Sequence, residues 1–319
     1  EQKEWCKTIE ISSYHLRDTF NNIMDFSKIE AGTPLKIEDE WVDIFSLLDD
    51  LISVCRHYLL YRNVRLYVMP SIATPRFIKT DPVKLKQILV NLISNALKFT
   101  SKGSVKLTVN HSIAEDGCKI LFEIADTGIG IPKENIKKIF NAFQQIDTGH
   151  ARKYGGSGLG LSISQNILHA MGSNLEVQSV VGGGSRFYFQ LTVKAKEEDF
   201  GQKFFSKESQ KVAIHNRDPK VLEFISECVT TVKGIPTESS DIETLLNSGE
   251  YDLLVAEADR LTNTQIHRIA DKFPKVILIF YTENDRIEEI KRDFPKFQYI
   301  LAPIRSRDAV EAVRKLYSE

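Results

Sequence analysis

Gln87, Asn91, Asn95 and Lys98 are spaced by four, four and three residues, which puts them on one face of a helix. The apolar Leu85, Ile88, Leu92, Ile93 and Ala96 take the other side. Amide oxygens are hard ligands that suit Mg²⁺, and an ammonium suits phosphate oxygens, so the stripe fits a phosphate-bound divalent ion. A solvated polar face would read the same way, and the helix alone does not separate the two. Two glycine-bearing segments shift the balance. In Asp126-Thr-Gly-Ile-Gly-Ile-Pro132 a strand ends on a carboxylate, and Gly128 and Gly130 then permit close backbone approach. A buried carboxylate there can accept from an exocyclic amine, the group that distinguishes adenine from guanine. Gly155-Gly-Ser-Gly-Leu-Gly160 opens the next helix and turns its N–H groups and dipole toward an anion. A loop precedes this glycine run where a dinucleotide fold needs a strand, which excludes that fold.

The elements that must position these residues are legible from periodicity. Residues 4–30 form one long helical segment with Ile9, Leu16, Phe20, Ile23, Met24 and Phe26 near heptad spacing. A helix (Ile44 to Tyr61), a strand (Val64 to Val68) and the amide-bearing helix (Pro82 to Phe99) follow. Strands Val105–His111 and Lys119–Ala125 flank Asp116-Gly117, a hairpin signal. After a helix (Leu159–Met171), Leu175–Val180 and Arg186–Val193 read as a second hairpin across Gly182-Gly-Gly184. Helices and antiparallel strands segregated in this way predict an α+β sandwich. Residues 196–210 are charged, lack either period and read as a linker. Beyond it, continuous apolar strands at 212–214, 251–256, 276–281 and 299–301 alternate with helices at about 219–232, 263–272, 285–293 and 307–318. That is an α/β domain whose parallel sheet is covered on both faces.

At 319 residues the chain is sized for about two domains. Lys and Arg total 42 against 43 Asp and Glu, so a general nucleic-acid binder is excluded. The longest strand-like apolar run, Val276–Tyr281, is far too short to span a bilayer. No signal peptide is visible, and a first residue other than Met reads as a fragment whose parent could carry an anchor. Cys6, Cys55, Cys118 and Cys228 are widely spaced, which argues against a zinc site and fits buried thiols in a reducing cytosol.

Asn91 with Asn95 resembles the N box of sensor histidine kinases, and Asp126-Thr-Gly-Ile-Gly130 their G1 box. Ile139-Phe-Asn-Ala-Phe143 is similar to the F box and Gly156-Ser-Gly-Leu-Gly160 to the G2 box, with Gly184-Ser-Arg-Phe187 closing the order. The resemblance covers residues 35–195 and implies a Bergerat-type ATP fold, shared with gyrase, MutL and the heat-shock chaperones. It implies Asp126 on the adenine amine, Asn91 on Mg²⁺, and Asn95 and Lys98 by the phosphates. Gly128, Gly130, Gly156, Ser157, Gly158, Leu159 and Gly160 would line the nucleotide, and residues 133–157 would form a mobile lid. Arg152 and Lys153 in that lid would reach the γ-phosphate, while His150 is read as solvent-exposed.

Residues 1–34, ending in Asp25-Phe-Ser-Lys-Ile-Glu-Ala-Gly32, resemble the second helix of the family's dimerisation hairpin. The phosphoacceptor motif belongs to the first helix and is absent. His15, followed by Leu-Arg-Asp-Thr-Phe, is read as a packing or surface residue, so no phosphoacceptor histidine is assigned. The implied partners are ATP, a dimerisation-domain histidine of the full-length kinase, and a response regulator or phosphotransfer protein. The parent is expected to be a cytoplasmic or membrane-anchored homodimer.

Residues 211–319 resemble a receiver domain. A working receiver needs an acidic pair after its first strand, an Asp after the third, a Thr or Ser after the fourth and Lys-Pro after the fifth. Here Asn216 and Arg217 stand at the acidic pair with Asp218 one place late, Glu257 at the acceptor, Thr282 in its role, and Ala302-Pro303 for Lys-Pro. Without its carboxylates the site loses the hard oxygens that Mg²⁺ requires, with Arg217 adding positive charge there. The expectation is a pseudo-receiver that acts by docking, with Glu257 as a permanent acidic mimic; a structural spacer is the plainer alternative. Three functions compete: a histidine-kinase core, a nucleotide-binding scaffold without catalysis, and a gyrase- or MutL-type ATPase. The last is disfavoured because a transducer domain with a catalytic lysine should follow.

Overall fold

The computed structural model describes residues 20, 23–24, 26–27, 30–31, 35–59, 63–71, 74–114, 117–144, 158–196, 210–231, 234–281 and 285–304. Expectations for Cys6, His15, His150, Arg152, Lys153, Gly156, Ser157, Thr282 and the helix at 307–318 lie outside these residues, as does nearly all of 1–34 and of the linker.

The first body runs β1 (Glu40–Asp43), α1 (Ile44–Leu59), β2 (Asn63–Pro70), β3 (Phe77–Thr80), α2 (Pro82–Phe99), β4 (Lys102–Ala114), β5 (Gly117–Asp126), α3 (Gly160–Ala170), β6 (Glu176–Val180), β7 (Gly184–Val193) and β8 (Ala195–Lys196). Helix α2 starts where chemistry dictates. Asp81 Oδ1 accepts from the amides of Val83 and Lys84, both at 3.0 Å, and Pro82 fills the first turn where an N–H would go unused. Asp81 Oδ2 also accepts from the Glu38 amide at 3.0 Å, so one carboxylate ties the incoming chain to the helix.

Five strands form one sheet in the order β2-β4-β5-β7-β6, antiparallel except for the parallel β2–β4 pair. Alternation sends Val105, Leu107 and Val109 of β4, Ile120, Phe122 and Ile124 of β5, and Phe187, Phe189 and Leu191 of β7 into one core. That core is closed by Leu48, Leu51 and Ile52 of α1, Leu85 to Leu97 of α2, and Ile163 and Ile167 of α3. Both expected hairpins are present, β4–β5 and β6–β7. A small sheet, β1-β3-β8, was not expected: strands of four and two residues are too short to show a period.

The second body runs β9 (Lys211–His215), α4 (Pro219–Thr231), β10 (Ile235–Ser239), α5 (Ile242–Asn247), β11 (Leu253–Glu257), α6 (Asn263–Lys272), β12 (Val276–Phe280), α7 (Asp285–Asp293) and β13 (Gln298–Leu301). Its sheet is parallel throughout, in the order β10-β9-β11-β12-β13. Every residue of β11 and β12 is buried, with separate apolar clusters on the two faces, as the continuous apolar runs require. The four expected strands are joined by a fifth. Ile235-Pro-Thr-Glu-Ser239 is polar and carries a proline, which an edge strand tolerates and a sequence reading passes over.

Candidate functional site

Asp126 ends β5 half-buried. Its Oδ1 accepts from the Gly128 amide at 2.8 Å and from the Ser185 amide at 3.2 Å, and neither bond uses Oδ2. Burial pushes the carboxyl above its ordinary value of 3.8, while the two amides pull it down. The turn that follows is bound on three sides. The Ile129 amide reaches Phe99 O at the end of α2 (3.3 Å), the Gly182 amide reaches Ile129 O (2.8 Å), and the Ile131 amide donates to Ser179 Oγ (2.7 Å). Gly130 has φ of +70°, and a Cβ there would fall 2.0 Å from Val180 O, so only glycine lets this turn sit against the β6–β7 hairpin.

On α2 the stripe is present, and Asn91, Asn95 and Lys98 are all partly buried. Asn91 Nδ2 donates to Ser164 Oγ of α3 at 2.8 Å, and Asn95 Nδ2 donates to Asn91 Oδ1 at 3.3 Å. In this arrangement the Asn91 oxygen is the end turned toward Asn95 and Gly160. Gly160 opens α3 directly against that amide: a Cβ there would lie 2.2 Å from Asn91 Oδ1. Lys98 Nζ lies 5.1 Å from the Phe99 ring centre. Gly158 has φ of +69°, its carbonyl accepts from the Phe143 amide at 3.1 Å, and Leu159 is fully buried. Phe26 meets the Phe143 ring of the phenylalanine motif edge-on at 5.1 Å.

The arrangement therefore gathers Asp126, the two-glycine turn, the amide face of α2 and the start of α3. The sequence missed Ser164 and Ser179, which orient these groups. Serines on a helix or hairpin give no signal until their partners are known. Among the described residues no group of three or more His, Cys, Asp or Glu could hold a metal ion. Mg²⁺ carried by phosphates needs only one or two protein oxygens, so a single amide oxygen fits it.

In the second body, Asn216 is fully buried; its Nδ2 donates to the Tyr281 hydroxyl at 3.1 Å and its Oδ1 accepts from the Asp218 amide at 2.9 Å. Glu257, at 2% exposure, accepts from the Arg217 amide at 3.2 Å through Oε2. The Ala302 amide donates to Phe280 O at 2.7 Å. The Arg217 side chain itself is exposed. Cys55 and Cys118 are buried and Cys228 partly so, and burial pushes the Cys55 thiol up to about 12.

A mixed sheet carrying a half-buried carboxylate at a glycine turn, with a helix amide stripe packed on the start of the next helix, is the arrangement of a nucleotide-binding ATPase fold. Residues 80–195 match the family described as histidine kinase-, DNA gyrase B-, and HSP90-like ATPase. Those residues are a domain of that family. Hybrid signal transduction histidine kinase B of Dictyostelium discoideum is 37% identical over 191 residues, 60% of this chain and 10% of that protein. The signal transduction histidine-protein kinase BarA of Escherichia coli K12 is 34% identical over 193 residues, 60% of this chain and 21% of BarA. Among solved structures, full-length ShkA in complex with AMPPNP superposes with a TM-score of 0.75 at 25% identity, over 99% of this chain and 65% of that one. Residues 80–195 are thus similar to the catalytic ATP-binding domain of hybrid histidine kinases, and the chain spans 10–21% of the length of those two curated relatives. Among the described residues no helix is long and apolar enough to cross a membrane.

Proposed function

We propose that this chain is the ATP-binding core of a two-component hybrid kinase, which passes the ATP γ-phosphoryl group to a histidine on a dimerisation helix outside residues 1–319. The observation that carries the reading is Asp126, held by the Gly128 and Ser185 amides with Oδ2 in neither bond. Asp126 accepts from the adenine amine, and Gly128 and Gly130 admit the base. Asn91 holds Mg²⁺, and Asn95 and Lys98 lie by the phosphates. Gly156, Ser157, Gly158, Leu159 and Gly160, which lead into α3, are assigned to the phosphates, and Arg152 and Lys153 of the proposed lid segment 133–157 to the γ-phosphate. When bound, Mg²⁺ neutralises charge on the phosphate oxygens; the protein's part is positioning and charge stabilisation. The ATP analogue in the ShkA complex supports this use of the fold.

The proposed organisation is a dimerisation helix (1–34), the catalytic domain (35–195), a linker (196–210) and a pseudo-receiver (211–319). The flavodoxin-like receiver reading is supported by the parallel sheet order, with the second strand outermost beside the first. Asn216, Arg217, Asp218, Glu257, Thr282 and Ala302 stand at its site, and the loss of three acceptor-site functions argues against phosphorylation. A separately produced dimerisation hairpin bearing a histidine, incubated with this chain and γ-labelled ATP, tests the kinase reading. Acid-labile label on the hairpin is expected; ATP hydrolysis without transfer would contradict it.

A further inference from the structure

Strand β2 should be a half-exposed edge. Val64, Leu66 and Val68 point into the catalytic core, yet Tyr67 and Met69, on the opposite face, are only 6% and 8% exposed. They are buried in an apolar cluster with Val212, Ile214, Leu253, Val255 and Ile279 of the second body. Polar contacts ring that patch. Arg65 Nη2 lies 2.9 Å from Glu257 Oε1, a charge contact off the N–H direction, and Arg65 stacks 4.9 Å from the Tyr281 ring centre. Lys106 Nζ lies 2.9 and 2.8 Å from the two Asp218 oxygens. Tyr67 meets Tyr281 edge-on at 5.5 Å, and Arg56 Nη2 donates to Leu301 O at 3.0 Å.

We propose that the acidic pocket of the second body is a docking surface for this chain's own β2–β4 edge, and that Arg65 and Lys106 stand where a working receiver keeps its divalent cation. The inference rests on the pseudo-receiver reading above. The two carboxylates left in the pocket, Glu257 and Asp218, each face a side-chain cation from the other body. Glu257 is nearly without solvent, and a buried carboxylate has to be paired; Arg65 is that pair. On this account the Glu at the acceptor position is chosen for its reach to Arg65 and not as a phosphate mimic. Asn216, neutral and bonded to Tyr281 and to the Asp218 amide, organises the pocket without adding a third negative charge. The specificity is intramolecular: an apolar centre of Tyr67 and Met69 with a charged rim is the build of a protein–protein contact. Lys106 pairs in register with Ala125, next to Asp126, so the docked edge adjoins the strand end that carries the adenine carboxylate.

Small-angle scattering on the full chain tests this, with circular dichroism as the folding control. Arg65→Glu with Lys106→Glu places like charges across the contact. It is expected to raise the radius of gyration by at least roughly a tenth, because two bodies released from one another are less compact than one. Lys106→Glu and Asp218→Lys should each raise it, and the two together, restoring the pair with reversed sign, should return it toward the parent value. A scattering profile unchanged by the double reversal would overturn the proposal, as would a charge swap no more compact than its single variants. Labelling of the unmodified chain by acetyl phosphate is a separate result and would strike the pseudo-receiver reading alone.

Discussion

Asp126 pulls in two directions, since recognition of an amine needs the ionised carboxylate while burial disfavours it. The folded chain without ligand holds the Asp126 proton more tightly than the unfolded chain does. The stability this contributes is intact below the ordinary value of 3.8 and is lost as the pH rises through the folded value. Asp126→Asn keeps an oxygen for the two amides and removes the charge, so its melting temperature at pH 7 is expected to equal or exceed the parent's. That advantage should vanish below about pH 4, where the parent is protonated too; a lower melt at neutral pH would make the carboxylate structural. Asp126, Asn91 and the glycines were legible because their chemistry and order are encoded locally. Ser164 was not, because its meaning lies in an amide 73 residues away. Glu257 was visible as a substitution, but its partner Arg65 sits on a strand of another body and no local pattern points to it.

Among the elements, α2 and α3 carry the site, and their contact is set by one missing methyl group. Gly160→Ala should help α3 by up to about 1 kcal/mol through propensity alone. Its Cβ would nevertheless fall on Asn91 Oδ1, so Mg–ATP affinity is expected to drop at least roughly tenfold, about 1.4 kcal/mol, with little loss of stability in a thermal melt. Unchanged affinity would separate α3 from the amide stripe. Asp81→Ala removes the cap of α2 and the bond to Glu38. It should cost about 1–2 kcal/mol, a fall of roughly 2–6 °C in melting temperature. Helices and long strands were readable because amphipathic periods span many residues. Strands β1, β3, β8 and β10 were not: the first three are two to four residues long, and β10 is a polar edge. Strand β2 held an unread signal, since Tyr67 and Met69 put apolar groups on the face that a solvent-facing edge would make polar.

For the whole molecule, a catalytic domain and a second α/β body meet across a small apolar centre with ion pairs at its rim. The second body lacks the acidic pair and the Lys-Pro of a working receiver, so acetyl phosphate with Mg²⁺ is expected to label neither the parent chain nor Glu257→Asp; robust labelling of the Asp variant would show a live metal site. Docking was expected from the altered receiver positions, but its surface could not be read in the sequence because each half of it looks like an ordinary domain surface on its own. The central claim is that the first body binds ATP through Asp126. Isothermal calorimetry of Mg–ATP binding to the full chain and to Asp126→Asn tests it most directly. The account expects the parent to bind and the variant to lose about 2–3 kcal/mol, roughly 30- to 150-fold, for a hydrogen bond to a charged acceptor. Equal affinity in the two chains, or no binding by the parent, would contradict it.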